Sequence, residues 1–126
     1  MTNKRLLILD DDEILSKVIS IVAKNLGFEV LISVNPEAFI NDFINWRPTH
    51  ITVNLVMPKM DGVEILKKLA RLSCDSAIIV TSGVGLKVLE SAQLNESELR
   101  LNVRGLLPKS FDSHFLECLL LDVVEN

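Results

Sequence analysis

The residues able to do chemistry stand at separated points of the chain: the acidic run Asp10-Asp11-Asp12-Glu13, then Asn54, the hydroxyl pair Thr81-Ser82, and Lys109. Adjacent carboxylates raise each other's pKa unless a cation neutralises them. Mg²⁺ suits Asp10 and Asp11 because it prefers oxygen ligands in an octahedron, keeps several waters and needs only one or two carboxylates. Lys109 is the other candidate counter-charge. A plainer reading stands beside this one: Asp11 and Asp12 cap a helix and favour its positive end. Thr81 and Ser82 are equally open, since hydroxyls at strand ends commonly satisfy nearby backbone groups. Gly83 and Gly85 follow them without the lysine pattern or the GxGxxG spacing of a nucleotide-binding loop.

The elements that must carry these residues are legible from periodicity. Lys4 to Leu9 is a short, continuous apolar run of the kind a strand buried on both faces requires, and it delivers Asp10 at its carboxyl end. Ile14, Leu15, Val18, Ile19, Val22 and Leu26 then recur at helical spacing before Gly27. Phe28 to Ile32 reads as a second strand, Asn35-Pro36 as a cap with proline at the first helical position, and Phe39, Ile40, Phe43 and Ile44 as a buried stripe. Ile51 to Asn54 is a third strand, followed by a loop and a helix carrying Val63, Leu66, Leu69 and Ala70. Ala77 to Thr81 is a fourth strand. Leu86, Leu89 and Ala92 predict a helix ending near Glu98, and Val103 to Leu107 a fifth strand. Asp112 can cap a last helix with Phe115, Leu116, Leu119, Leu120 and Val123 facing inward.

Strands alternating with helices five times predict an α/β fold: a doubly wound, five-stranded parallel sheet covered on both faces. Ligands of such sheets bind outside the carboxyl ends of the strands, where the winding reverses. Asp10, Asn54 and Thr81 all fall at predicted strand ends, so the candidate site is placed by topology.

Taken in order, Leu9-Asp10-Asp11, the run Asn54-Leu55-Val56-Met57-Pro58-Lys59-Met60-Asp61-Gly62, Thr81-Ser82 and Pro108-Lys109 resemble the receiver domains of response regulators in two-component signalling. The resemblance covers nearly the whole chain and implies one flavodoxin-like (βα)5 receiver domain over residues 1–126. It further implies that Asp10, Asp11, Asn54 and the carbonyl of Val56 stand where that family holds Mg²⁺. Thr81, with Ser82, and Lys109 stand where it contacts the phosphoryl group. Asn54 occupies the position of the phosphate-accepting aspartate, and an amide has no anionic oxygen with which to attack phosphorus. Asp10, Asp11 and Lys109 together carry about −1, against about −2 with an aspartate at position 54, so Mg²⁺ affinity is expected to be weakened or lost.

Other positions depart as well. Leu106 stands where the family commonly has a switching aromatic, Ser110 where a proline is usual, and the segment from Ser82 to Pro108 is longer than common. Val103-Arg104-Gly105-Leu106-Leu107-Pro108-Lys109 looks like receivers found upstream of cyclic-di-GMP phosphodiesterase domains. Asn54 is either natural or introduced to freeze the unphosphorylated state of a phosphorylation switch; these departures favour the natural origin, and with it a degenerate receiver that works by protein contact, without turnover of its own. Its expected partners are a histidine kinase or phosphotransfer protein, an output domain, or a second copy docked through the 86–98 helix and the fifth strand.

Composition narrows the field further. A net charge of −4 without a Lys/Arg cluster gives no footprint for nucleic acid. No apolar run approaches the roughly 20 residues that span a bilayer, and Asp10 ends the first one too early for a signal peptide, so a cytoplasmic location is expected. Cys74 and Cys118 lack metal-ligand spacing in the sequence and read as reduced, semi-buried thiols. The competing enzyme reading is a small Mg²⁺-dependent phosphotransferase or hydrolase using Asp10 as nucleophile. Flavin binding fails because Asp10 to Glu13 would repel the phosphate.

Overall fold

The computed structural model describes residues 4–57, 61–81, 100–108 and 110–122. In chain order the elements are β1 (Arg5–Leu9), α1 (Glu13–Asn25), β2 (Glu29–Ser33), α2 (Pro36–Trp46), β3 (His50–Asn54), α3 (Gly62–Arg71), β4 (Ala77–Thr81), β5 (Asn102–Leu107) and α4 (Ser113–Leu121). The strands form one sheet in the order β2-β1-β3-β4-β5, with every pair parallel. The α/β doubly wound expectation is therefore met. The helix expected between Leu86 and Glu98 lies outside the described residues, as do Ser82, Lys109 and Val123.

Alternation along the apolar strands divides the core in two. Leu7, Leu9, Ile51, Val53, Ile78 and Val80 face α2 and α3, meeting Phe39, Ile65, Leu66 and Leu69. Leu6, Ile8, Ile79 and Leu107 face α1 and α4, meeting Ile19, Ala23, Leu116 and Leu120. This burial on both faces is why β1 reads as a continuous apolar run rather than an alternating one. Asp12, Asn35, Asp61 and Asp112 cap the four described helices, each accepting an N–H from the first turn through its side chain, and each is worth about 1 kcal/mol. Gly27, at φ 92°, turns the chain out of α1, as its position predicts.

Three of the apolar stripes are narrower than periodicity suggests. Ile14 (77% exposed) and Val18 (41%) face outward, while Leu15, Ile19, Val22 and Ala23 fill the core side of α1. Adjacent residues lie about 100° apart on a helix, so Ile14 and Val18 fall off the core side beside buried Leu15 and Ile19, while Val22 and the small Ala23 both stay on it. Ile44 in α2 and Phe115 in α4 are exposed for the same reason.

β5 starts one residue earlier than predicted and contains a bulge: Ile78 pairs with Val103 but Ile79 pairs with Gly105, leaving Arg104 as the extra residue. Its Nη1 donates to the carbonyls of Leu119 (3.0 Å) and Leu120 (3.1 Å), satisfying orphan acceptors at the end of α4. The same nitrogen lies 3.3 Å from His50 Nε2 at the start of β3. For Nε2 to accept from Arg104, the ring proton must sit on Nδ1, which then donates to Thr49 Oγ1 at 2.7 Å. Thr49 Oγ1 also accepts from the backbone N–H of Arg5 and donates to the Arg5 carbonyl. One chain of hydrogen bonds thus ties α4, β5, β3 and β1 together at the amino end of the sheet.

Burial, then the neighbouring Arg104 charge, lowers the His50 pKa to about 4. Between about pH 6.5 and 4 the unfolded chain binds a proton that the folded chain refuses, so this contribution to stability is complete above 6.5 and is lost as pH falls through about 4. His50→Gln should therefore lose less stability than the parent over that window, by on the order of 1–3 kcal/mol. Urea unfolding of both proteins at several pH values measures the difference, in which the titration of all other groups cancels; parallel stability curves would contradict it.

Candidate functional site

Because β1, β3 and β4 are adjacent and parallel, their carboxyl ends converge. Leu9 is in register with Val53, and Asn54 with Thr81. The winding of the sheet reverses between β1 and β3, which is where a fold of this order binds its ligand. Asp10, Asn54 and Thr81 meet there and are almost fully buried, at 2%, 3% and 2% exposure.

Asp10 is the hub. Its Oδ1 accepts the backbone N–H of Asp12 at 2.9 Å and, more weakly, the Asn54 Nδ2 amide at 3.4 Å. Its Oδ2 accepts a long 3.5 Å contact from Thr81 Oγ1. Burial raises the Asp10 pKa above the ordinary carboxylate value, the Asp12 N–H and the Asn54 amide pull it back, and the charges of Asp11 and Asp12 push it up again. A buried carboxylate held above its ordinary pKa in a polar pocket is a common mark of a functional site.

Asn54 is oriented by its two neighbours. The N–H of Val56 can meet only an oxygen, and it donates to Asn54 Oδ1 at 2.9 Å; the Asp10 carboxylate can meet only the NH₂ group. The amide therefore turns its nitrogen, which has no lone pair for a cation, toward Asp10, and commits its oxygen to the loop. Asp11 is exposed, and Asp12, not Asp11, caps α1 through a 3.0 Å bond from Leu15 N–H. Among the described residues no group of three or more His, Cys, Asp or Glu side chains lies close enough to hold a metal ion. With one buried carboxylate, one exposed one and an inverted amide, these residues fit Mg²⁺ poorly.

Ser82 and Lys109 lie outside the described residues. Leu107, in register with Thr81, ends β5 two residues before Lys109 in the sequence. Leu106, at the expected aromatic position, packs partly buried against the core shared with α2 and α3.

One functional feature escaped the sequence reading. Gly62, the first residue of α3, sits against the backbone of Leu55, and a Cβ there would strike the Leu55 carbonyl and lie 2.7 Å from the Leu55 Cβ. Asp61 caps α3 by accepting from Val63 N–H at 3.0 Å, so Asp61-Gly62 presses the helix start onto the loop that carries Val56 beside Asn54. The Asp-Gly pair was visible in the sequence; the surface it meets was not.

The profile of the response regulator receiver domain family matches residues 6–120, and the chain belongs to that family. It is a receiver domain of two-component signalling, similar to chemotaxis protein CheY. CheY of Thermotoga maritima is 25% identical over 87 residues, covering 68% of this chain and 72% of that protein. CheY of Bacillus subtilis is 29% identical over 82 residues, covering 64% and 68%. The signal receiver domain of a response regulator from Bermanella marisrubri superposes with a TM-score of 0.80 at 27% identity, covering 98% of this chain and all of that one.

Gly62→Ala should destabilise the fold by about 1–3 kcal/mol, the usual cost of overpacking, and should displace the amide resonance of Val56. Urea titration and an amide NMR spectrum test this together; unchanged stability with an unmoved Val56 amide would contradict the proposed contact.

Proposed function

We propose that this chain is a degenerate receiver, a single unit over residues 1–126, that signals in the cytoplasm through protein contact and does not accept a phosphoryl group. The observation that carries the reading is the buried Asn54 amide, whose nitrogen faces Asp10 at 3.4 Å and whose oxygen is held by Val56 N–H. The amide supplies in uncharged form part of what a cation would supply to Asp10, a donor to its carboxylate. It cannot act as the nucleophile, because the amide lone pair is delocalised and the oxygen carries no full charge.

In this reading Asp10, Asp11, Asn54 and the Val56 carbonyl are the remnant of a Mg²⁺ site with weakened affinity. Thr81, Ser82 and Lys109 are the remnant of a phosphoryl site. The partners would be a histidine kinase or phosphotransfer protein and an output domain, reached by docking rather than by group transfer, or a second copy through the 86–98 segment and β5. The competing hydrolase reading would require Asp10 as nucleophile. Both of its carboxylate oxygens already accept hydrogen bonds, which lowers their nucleophilicity.

Acetyl phosphate with Mg²⁺ tests the reading directly. The parent chain should show no mass increase. Asn54→Asp should gain one phosphoryl group and bind Mg²⁺ about tenfold more tightly or better, since it restores an anionic oxygen facing Asp10. Labelling of the parent on Asp10 would favour the enzyme reading, and an Asn54→Asp chain that stays unlabelled would count against the assigned site.

A further inference from the structure

A cavity of about 690 Å³ opens at the amino end of the sheet, where α2 and α3 end, on the opposite edge from Asp10. That size is within the range of small-molecule sites. Its walls include the loops that lead into β3 and β4, and these are fixed to each other: Ser76 Oγ donates to the Pro48 carbonyl at 2.6 Å, and Ala77 N–H donates to the Thr49 carbonyl at 3.0 Å. The Thr49 hydroxyl is committed to Arg5 and His50. A ligand therefore meets a preformed wall whose Thr49 and Ser76 hydroxyls already have partners. Phe43, Ile44 and Leu72 give the lining an apolar part, and Ile44 and Leu72 remain 49% and 41% exposed. Two exposed charges complete it: Arg47, the left-handed cap of α2 at φ 54°, and Asp75. Among the described residues neither side chain has an ion-pair or hydrogen-bond partner, and the two do not pair with each other.

We infer that this cavity binds a small zwitterion with an apolar side chain, an apolar amino acid or dipeptide. Its ammonium group meets Asp75, where the negative dipole ends of α2 and α3 add to the attraction for a cation. Its carboxylate meets the Arg47 guanidinium, whose planar fork suits a carboxylate. The apolar side chain covers Ile44 and Leu72 against Phe43. A ligand with one charge would leave either Arg47 or Asp75 unanswered, so the lining selects for both charges on one small molecule. The site is separate from the Asp10 pocket and does not depend on how that pocket functions.

Amide NMR titration of the full chain tests this with phenylalanine, leucyl-phenylalanine, phenethylamine, which lacks the carboxylate, and phenylpropionate, which lacks the ammonium. Phenylalanine or the dipeptide should move the amides of Ile44, Leu72, Ser73 and Asp75 saturably in about the millimolar range, leaving the Thr81 amide in place. The tighter of the two tells an amino acid from a peptide as the occupant. Each singly charged analogue should bind about three- to fivefold more weakly, the worth of one exposed ion pair. Arg47→Gln should abolish the preference for phenylalanine over phenethylamine, and Asp75→Asn the preference over phenylpropionate. Both side chains are exposed, so both variants should keep the fold, which their amide spectra check. No saturable shift with either zwitterion, shifts confined to other parts of the chain, or equal affinity for all four probes would overturn the assignment.

Discussion

A carboxylate placed inside a protein needs a partner, and the organisation of this chain turns on which partner Asp10 receives. The parallel sheet leaves little choice about location. β1 must be apolar on both faces, so the first residue that can be charged is the one just past its end, and the neighbouring strands bring Asn54 and Thr81 to the same rim. Desolvation there works against ionisation of Asp10. The contacts that relieve it come from the Asp12 N–H and from the Asn54 amide, not from a second anionic group arranged to share a cation. At position 54 a nitrogen rather than an anionic oxygen faces Asp10, and the contacts to the Asp10 carboxylate are hydrogen bonds from within the chain.

The two ends of the sheet are stabilised by different means. At the carboxyl end the site is held by short-range turns: Asp10 to Asp12, Asn54 to Val56, and Asp61-Gly62 pressed onto Leu55. At the amino end, Arg104 reaches from a bulge in β5 to the last carbonyls of α4 and to His50, and Thr49 passes the connection to β1. Between the two ends the strands bury mainly apolar side chains, with Thr52 in β3 an exception, so the polar networks at the ends are separated by a layer of packed side chains.

Much of this was legible in the sequence because it rests on period and position. The continuous apolar runs at Leu6 to Leu9 and Ala77 to Thr81, the caps Asn35 and Asp112, the turn at Gly27 and the convergence of Asp10, Asn54 and Thr81 all follow from local pattern plus the topology of a parallel sheet. What escaped depends on contacts between distant parts of the chain. The role of Arg104 requires a bulge, which leaves no periodic trace, and its partners lie on β3 and α4. The clash that demands glycine at position 62 is with Leu55, seven residues away in sequence. Ile14, Val18 and Phe115 were expected inside because periodicity defines a stripe but not its width.

The central claim is that the Asn54 amide acts as a donor to the buried Asp10 carboxylate in place of a cation. The ¹³C titration of the Asp10 side-chain carboxyl, recorded in metal-free solution for the parent chain and for Asn54→Ala, tests it most directly. Loss of the donor should raise the Asp10 pKa further above its ordinary range, because the charged form loses a hydrogen bond it has in the parent. Identical titration curves in the two proteins would mean that the amide does not answer the charge, and the account of the site would be wrong.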